Sequence, residues 1–122
     1  MKPSLFAASL LLLTALANAE TSGAFPPSSV LATAPELNAY LSGKTFHAKY
    51  STGTTVQSKF GTDGSLAASA PGFYDTGKWR TEEGKLCGSL RKTGEFCNEA
   101  RFDAGVLYLR RMNGEVIHYE AE

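Results

Sequence analysis

Two cysteines, Cys87 and Cys97, enclose the nine residues GSLRKTGEF, and their spacing constrains the fold more than any other feature. With Arg91, Lys92 and Thr93 as a loop, Leu90 faces Gly94 and Cys87 falls directly opposite Cys97. Opposed residues of an antiparallel pair have Cα atoms about 4.5–5.5 Å apart, a separation that a disulfide accepts. Leu86 and Leu90 alternate to one face with Phe96 and Phe102, so both cysteines leave on the other. The expected element is a hairpin stapled by a Cys87–Cys97 disulfide on its outer face. The competing metal or redox reading fails on spacing, since nine intervening residues match neither CxxC nor a common zinc pattern.

One strand earlier stands Trp79, the only tryptophan. A turn between Glu82 and Lys85 places it opposite Gly88, where a missing side chain makes room for the ring. Trp79 is therefore expected at the centre of the core, with an exposed ligand-stacking role as the alternative.

A disulfide requires an oxidising compartment, and the first residues supply the address. Lys2, an apolar run from Leu5 to Leu16, and Ala17-Asn18-Ala19 have the form of a secretory signal with an A-x-A cleavage site. Residues 1–19 are read as that signal, and the mature chain is expected to begin at Glu20 in the periplasm of a Gram-negative bacterium, or secreted. No cysteine follows the apolar run, so no lipid attachment is expected. Loss of Lys2 leaves eleven basic and twelve acidic side chains, a net charge of −1. Such a balance gives no electrostatic reason to expect a nucleic acid or an anionic membrane as partner.

The remaining 103 residues suit one domain. Residues 20–32, rich in Ser, Thr, Pro and Ala, read as an irregular N-terminal arm. Thr33-Ala34-Pro35-Glu36 is a capping box with proline in the first turn. Leu37, Tyr40 and Leu41 share one face, and Gly43 ends the element, predicting a short helix over 34–41 that must dock to be stable. From Thr45 onward short alternating stretches are separated by turn signals. Thr62-Asp63-Gly64 is a three-residue hairpin loop that pairs Phe60 with Leu66. SLAASA carries small inward residues. Pro71 to Asp75 reads as a wider loop holding Phe73 and Tyr74. Asp103-Ala104-Gly105 and Asn113-Gly114 mark the last two turns. The expected fold of residues 33–122 is all-β: a small antiparallel eight-stranded meander, closed into a barrel or strongly curved, preceded by one short α-helix.

The last hairpin admits two faces. A two-residue Asn113-Gly114 turn pairs Tyr108 with Tyr119 and Leu109 with His118. Either Leu107, Leu109 and His118 point inward, or Tyr108 and Tyr119 do so, with Arg110 and Ile117 on that face.

No HExxH, GxSxG, phosphate-loop or EF-hand pattern is present. With both cysteines bridged, no thiol nucleophile remains. The chain is expected to be non-enzymatic, without cofactor or metal, and to bind a small apolar ligand or a protein partner. The candidate binding residues are Phe73, Tyr74 and Tyr50, gathered at one barrel end; the alternative for Phe73 and Tyr74 is simply to cap the core. His47 and His118 fall on the first and last strands, which closure makes neighbours, but two ligands alone make a weak site, since zinc takes four.

The ordered motifs LNAYLSGKTF, KFGTDGSL and TGKWRTEEGKLC, followed by Cys97, resemble a family of small secreted bacterial proteins of unknown function. The resemblance runs from Leu37 to Cys97 and implies the compartment and the fold, with no activity. Gly77-Lys78-Trp79 is similar to the GxW signature of lipocalins, which makes the expected barrel calycin-like, although here the triplet falls near the fourth strand instead of the first. A more distant likeness is to periplasmic metalloprotease inhibitors, small disulfide-bearing β-barrels that insert an N-terminal arm into the protease. That likeness implies, as a second function, inhibition of a hydrolase through the arm from Glu20 or through a loop.

Overall fold

The computed structural model describes residues 23–122; the signal read at 1–19 and the first residues of the arm lie outside them. Ten strands and one helix follow in order: β1 (Val30–Leu31), α1 (Ala34–Leu41), β2 (Lys44–Lys49), β3 (Thr55–Phe60), β4 (Ser65–Ala70), β5 (Phe73–Glu82), β6 (Lys85–Leu90), β7 (Gly94–Asp103), β8 (Val106–Arg110), β9 (Val116–His118) and β10 (Glu120–Ala121). From β2 to β9 each strand pairs antiparallel with the next, and β10 pairs with β2. Only Tyr119 separates β9 from β10. A single terminal stretch thus pairs first with β8 and then with β2, bringing the sheet's two ends together in a nearly closed barrel. The expected all-β meander with one short helix is the fold observed. The count exceeds eight because the last strand is divided and a short β1 has been added.

The hairpin registers follow the alternation of the sequence. Phe60 pairs with Leu66, Trp79 with Gly88, and Cys87 with Cys97. Gly88 is needed for more than the indole: a Cβ there would lie 2.5 Å from the Lys78 carbonyl oxygen and 2.7 Å from the Phe96 ring. At Gly77, a Cβ would lie 1.8 Å from the carbonyl oxygen of Ser89. Strands β5 and β6 approach this closely only because both positions lack side chains.

Helix α1 closes one end of the barrel. Its capping box forms as expected, with Thr33 Oγ1 accepting from the Glu36 backbone N–H at 3.2 Å and Glu36 Oε1 accepting from the Thr33 N–H at 3.0 Å. Leu37 and Leu41 are wholly buried among Phe46, Trp79, Leu86, Leu107 and Leu109. Tyr40 stacks on Phe46 at 5.3 Å and meets Phe102 edge-on at 5.1 Å. An eight-residue helix gains little from propensity, so this buried face holds it.

Two readings are corrected here. The arm over 20–32 is not irregular throughout. Val30 and Leu31 pair with Phe102 and Arg101, extending the edge of β7 beyond the point where β6 begins. Ala32 is buried, and its N–H donates to the Ala100 carbonyl at 3.0 Å. Phe25 lies over the guanidinium groups of Arg101 and Arg110, 5.1 and 4.7 Å from its ring centre. The free edge of β7 recruits the arm because unpaired backbone groups at an edge invite a partner.

The second correction concerns the last hairpin. Tyr108 pairs with His118 and Leu109 with Ile117, one residue away from the register of a two-residue turn. The Arg111 N–H donates to Glu115 O at 2.7 Å and that of Gly114 to Arg111 O at 2.8 Å, enclosing Met112, Asn113 and Gly114 as a three-residue loop. The extra loop residue resolves both polar conflicts, since a one-residue slip exchanges the faces of a strand. Leu107, Leu109, Ile117 and Tyr119 all enter the core or pack on it, while His118 is exposed.

Candidate functional site

The end of the barrel opposite α1 is open. Four connections rim it: Ser51–Thr54, Pro71–Gly72, Arg91–Thr93 and the Met112–Gly114 loop. Between them a cavity of about 630 Å³ enters the barrel. Its floor is Phe60, Leu66 and Tyr119; its walls are Val56, Ala68, Ala70, Leu90 and Phe96, and Phe73 and Met112 stand at the mouth. The space exists because β3 and β4 present Ser58, Ala68 and Ala70 inward, where larger side chains would meet across the barrel. Inside, polar groups come from Ser58, Asn98 and Tyr119, and Thr52, Thr54, Thr93, Glu95, Arg111 and Asn113 add polar and charged groups to the lining. Burial pushes the Tyr119 phenol well above the ordinary tyrosine range, so it stays protonated.

Charged groups stiffen the rim. Arg111 lies 4.0 Å above the Tyr50 ring centre and pairs with Glu115 at 2.7 Å. Glu115 also accepts from the Ser51 backbone N–H, tying two rim loops together. Asp75, only 2% exposed, fastens a third. Its carboxylate accepts from the backbone N–H groups of Lys92 at 3.0 Å and Thr93 at 3.1 Å, and from the Thr93 hydroxyl at 3.2 Å. Burial acts to raise the Asp75 pKa, but the Lys92, Thr93 and Thr76 hydrogen bonds outweigh it and hold the carboxyl below the usual carboxylate range.

A group whose folded pKa is depressed contributes stability that is present above its unfolded value and is lost as pH falls through the folded one. Asp75→Asn is therefore expected to lower Tm at neutral pH, with the gap to wild type closing as pH falls below the ordinary aspartate value of 3.8. Thermal melts of both proteins from neutral pH to about pH 2.5 check this. A gap that is constant across that range would remove the charge from the explanation.

The three candidate binding residues do not form one patch. Tyr50 and Phe73 line the cavity and its mouth; Tyr74, 57% exposed, leaves β5 on the outer face. The wide Pro71–Asp75 loop is absent. Ala70 pairs with Phe73, and Pro71-Gly72 alone turns the chain, with Gly72 at φ +74°. Proline followed by a positive-φ glycine suffices for a tight turn, which places Phe73 and Tyr74 on opposite faces of a strand. Asp75 was not singled out from sequence, although alternation back from Trp79 through Gly77 puts it inside.

Trp79 takes no part in the cavity. It is 8% exposed, donates from Nε1 to the Gly61 carbonyl at 3.0 Å, and meets Phe60 edge-on at 5.3 Å. The Cys87–Cys97 disulfide forms on the outer face of the hairpin, with Cys87 itself fully covered. Among the described residues no helix is long and apolar enough to cross a membrane.

Fold and site together define a small disulfide-bonded β-barrel, plugged by a helix at one end and hollow at the other. No protein-family model, curated protein or solved structure matches the chain.

Proposed function

We propose that this chain is a non-enzymatic, calycin-like binding module of the periplasm or extracellular space that takes a small apolar ligand into the open end of its barrel. The cavity carries the proposal. Its volume of about 630 Å³ falls in the range of small-molecule sites, roughly 300–1,000 Å³. Its walls are largely aliphatic and aromatic, with polar atoms from Ser58, Asn98 and Tyr119 inside and Glu95, Arg111 and three threonines among the remaining lining to orient a ligand. The signal-like sequence of residues 1–19 and the disulfide support the compartment. The inhibitor reading loses support from the arm, because Val30 and Leu31 pair with β7 and Phe25 lies over Arg101 and Arg110.

The test is displacement of a fluorescent apolar probe. N-phenyl-naphthylamine should bind with one-to-one stoichiometry and an emission increase. Ala70 lies on the cavity wall near the mouth, so Ala70→Trp fills the space and is expected to weaken probe binding at least about tenfold while leaving Tm unchanged. Unchanged affinity in the folded variant, or a wild type that leaves the probe dark, would overturn the cavity as the site.

A further inference from the structure

We infer that the outer face of the barrel seam binds a late first-row divalent metal ion, such as Zn²⁺, through His47, His118 and Glu120. Sequence offered only two imidazoles. Barrel closure supplies the third ligand and sets it between them. Glu120 pairs with His47 across the β10–β2 junction, and His118 precedes it by two residues on the same outer face. The Glu120 carboxylate lies 3.6 Å from His47 Nε2 through Oε1 and 3.2 Å from His118 Nε2 through Oε2. Ligand atoms around a tetrahedral zinc with bonds of about 2.0–2.1 Å stand about 3.3 Å apart, so each histidine sits near ligand spacing from the shared carboxylate, while the two imidazoles have still to turn in on a common point.

Both imidazoles are partly exposed, 38% for His47 and 50% for His118 at the side chain. They turn toward one ion without disturbing the core. Two imidazoles and one carboxylate, with water completing the shell, form a recognised zinc-binding set. Glu122 adds a second feature. Its Oε2 lies 3.7 Å from His47 Nδ1, the side away from Glu120, and is itself held by Gln57 Nε2 at 2.6 Å. At that distance Glu122 does not hydrogen-bond the ring, but it stands on the side where metal-binding histidines ordinarily have their outer partner.

The location gives the ion a consequence. The β10–β2 junction rests on two residue pairs and one further hydrogen bond, from the Glu122 N–H to Thr45 O at 3.1 Å. An ion shared by His47 on β2 and His118 at the end of β9 staples that junction. A ligand that binds the folded state alone raises its stability by mass action.

The experiment is a Zn²⁺ titration of tag-free, disulfide-intact protein by calorimetry, with thermal melts in parallel. One equivalent should bind and Tm should rise. His47→Ala, His118→Ala and Glu120→Gln should each weaken binding at least about tenfold, since loss of even an outer-shell partner costs on the order of ten- to a hundredfold. All three positions are solvent-accessible, so the apo variants should melt near apo wild type. Binding that survives in the His47→Ala/His118→Ala double variant, loss confined to one histidine, or an absent heat signal in wild type would each overturn the shared site. Probe binding in the barrel cavity is a separate measurement, so failure of either leaves the other intact.

Discussion

Trp79→Ala should cost about 3–5 kcal/mol, the usual range for truncating a buried aromatic side chain, against a total of about 5–15 kcal/mol for a domain of ordinary stability. The indole is 8% exposed and belongs to the same buried cluster as Leu37 and Leu41, which hold α1 in the barrel end. Its removal empties space beside Phe60 and leaves the Gly61 carbonyl without the Nε1 donor that meets it at 3.0 Å. Gly77 and Gly88 on the paired strands bring no side chain to help fill the gap. The expected outcome is a melt lowered by tens of degrees, or no folded baseline at all. Because Trp79 is the only tryptophan, wild-type emission reports the same site: blue-shifted when folded and moving to a solvent-like maximum on unfolding. A solvent-like maximum in the native protein, joined to an unchanged melt in the variant, would place the ring at the surface instead.

The position of Trp79 was readable because local rules determine it. A hairpin whose turn is marked by Gly fixes its own register, and alternation then assigns every side chain on both strands. That logic yielded the Phe60–Leu66, Trp79–Gly88 and Cys87–Cys97 pairs. It failed where turn length was ambiguous. Asn113-Gly114 signals a two-residue turn, but Met112 joins the loop, and one residue decides whether His118 or Ile117 faces the core. The mismatch was visible beforehand as a polar group on an apolar face under either choice. It was a symptom of wrong register and not of a functional site.

The arm and the cavity were hidden for a different reason. Val30 and Leu31 carry no strong strand pattern; they pair because the long β7 outruns β6 and leaves an edge to cover. That is a tertiary demand with no local trace. The cavity arises from side chains that are absent. Ala68 and Ala70 in SLAASA registered as small inward residues, but whether they leave a void depends on what faces them across the barrel. The relation of Phe73 and Tyr74 was lost through a tight turn mistaken for a wide one. The seam ligands show the opposite case. Closure was anticipated and brought His47 near His118, yet Glu120 and Glu122 came into view only once the last strand had crossed from β8 to β2.

Cys87→Ser should lower stability by roughly 2–4 kcal/mol, and the larger part of the loss belongs to the unfolded state. The bridge closes a loop with a sequence separation of 10, for which chain entropy alone gives roughly 2.5–3 kcal/mol. Native pairing does not depend on the bond, because the β6–β7 register is held from Lys85–Glu99 to Leu90–Gly94. Cys87 is fully buried, so the serine hydroxyl there adds a desolvation cost unless it finds an acceptor. The Cys87→Ala/Cys97→Ala double variant removes that second contribution and isolates the loop. Urea unfolding with and without reductant measures both. Wild type should fall to about the midpoint of the alanine pair when reduced, and the slope m should rise slightly as the freed chain exposes more surface. The same hairpin carries the Arg91–Thr93 rim loop that Asp75 fastens, so the cavity mouth should loosen with it, and probe affinity should fall in the reduced protein before global unfolding begins. Coincident midpoints with and without reductant, in protein shown by mass to have lost the bond, would mean that the staple contributes nothing and that strand pairing alone secures the hairpin.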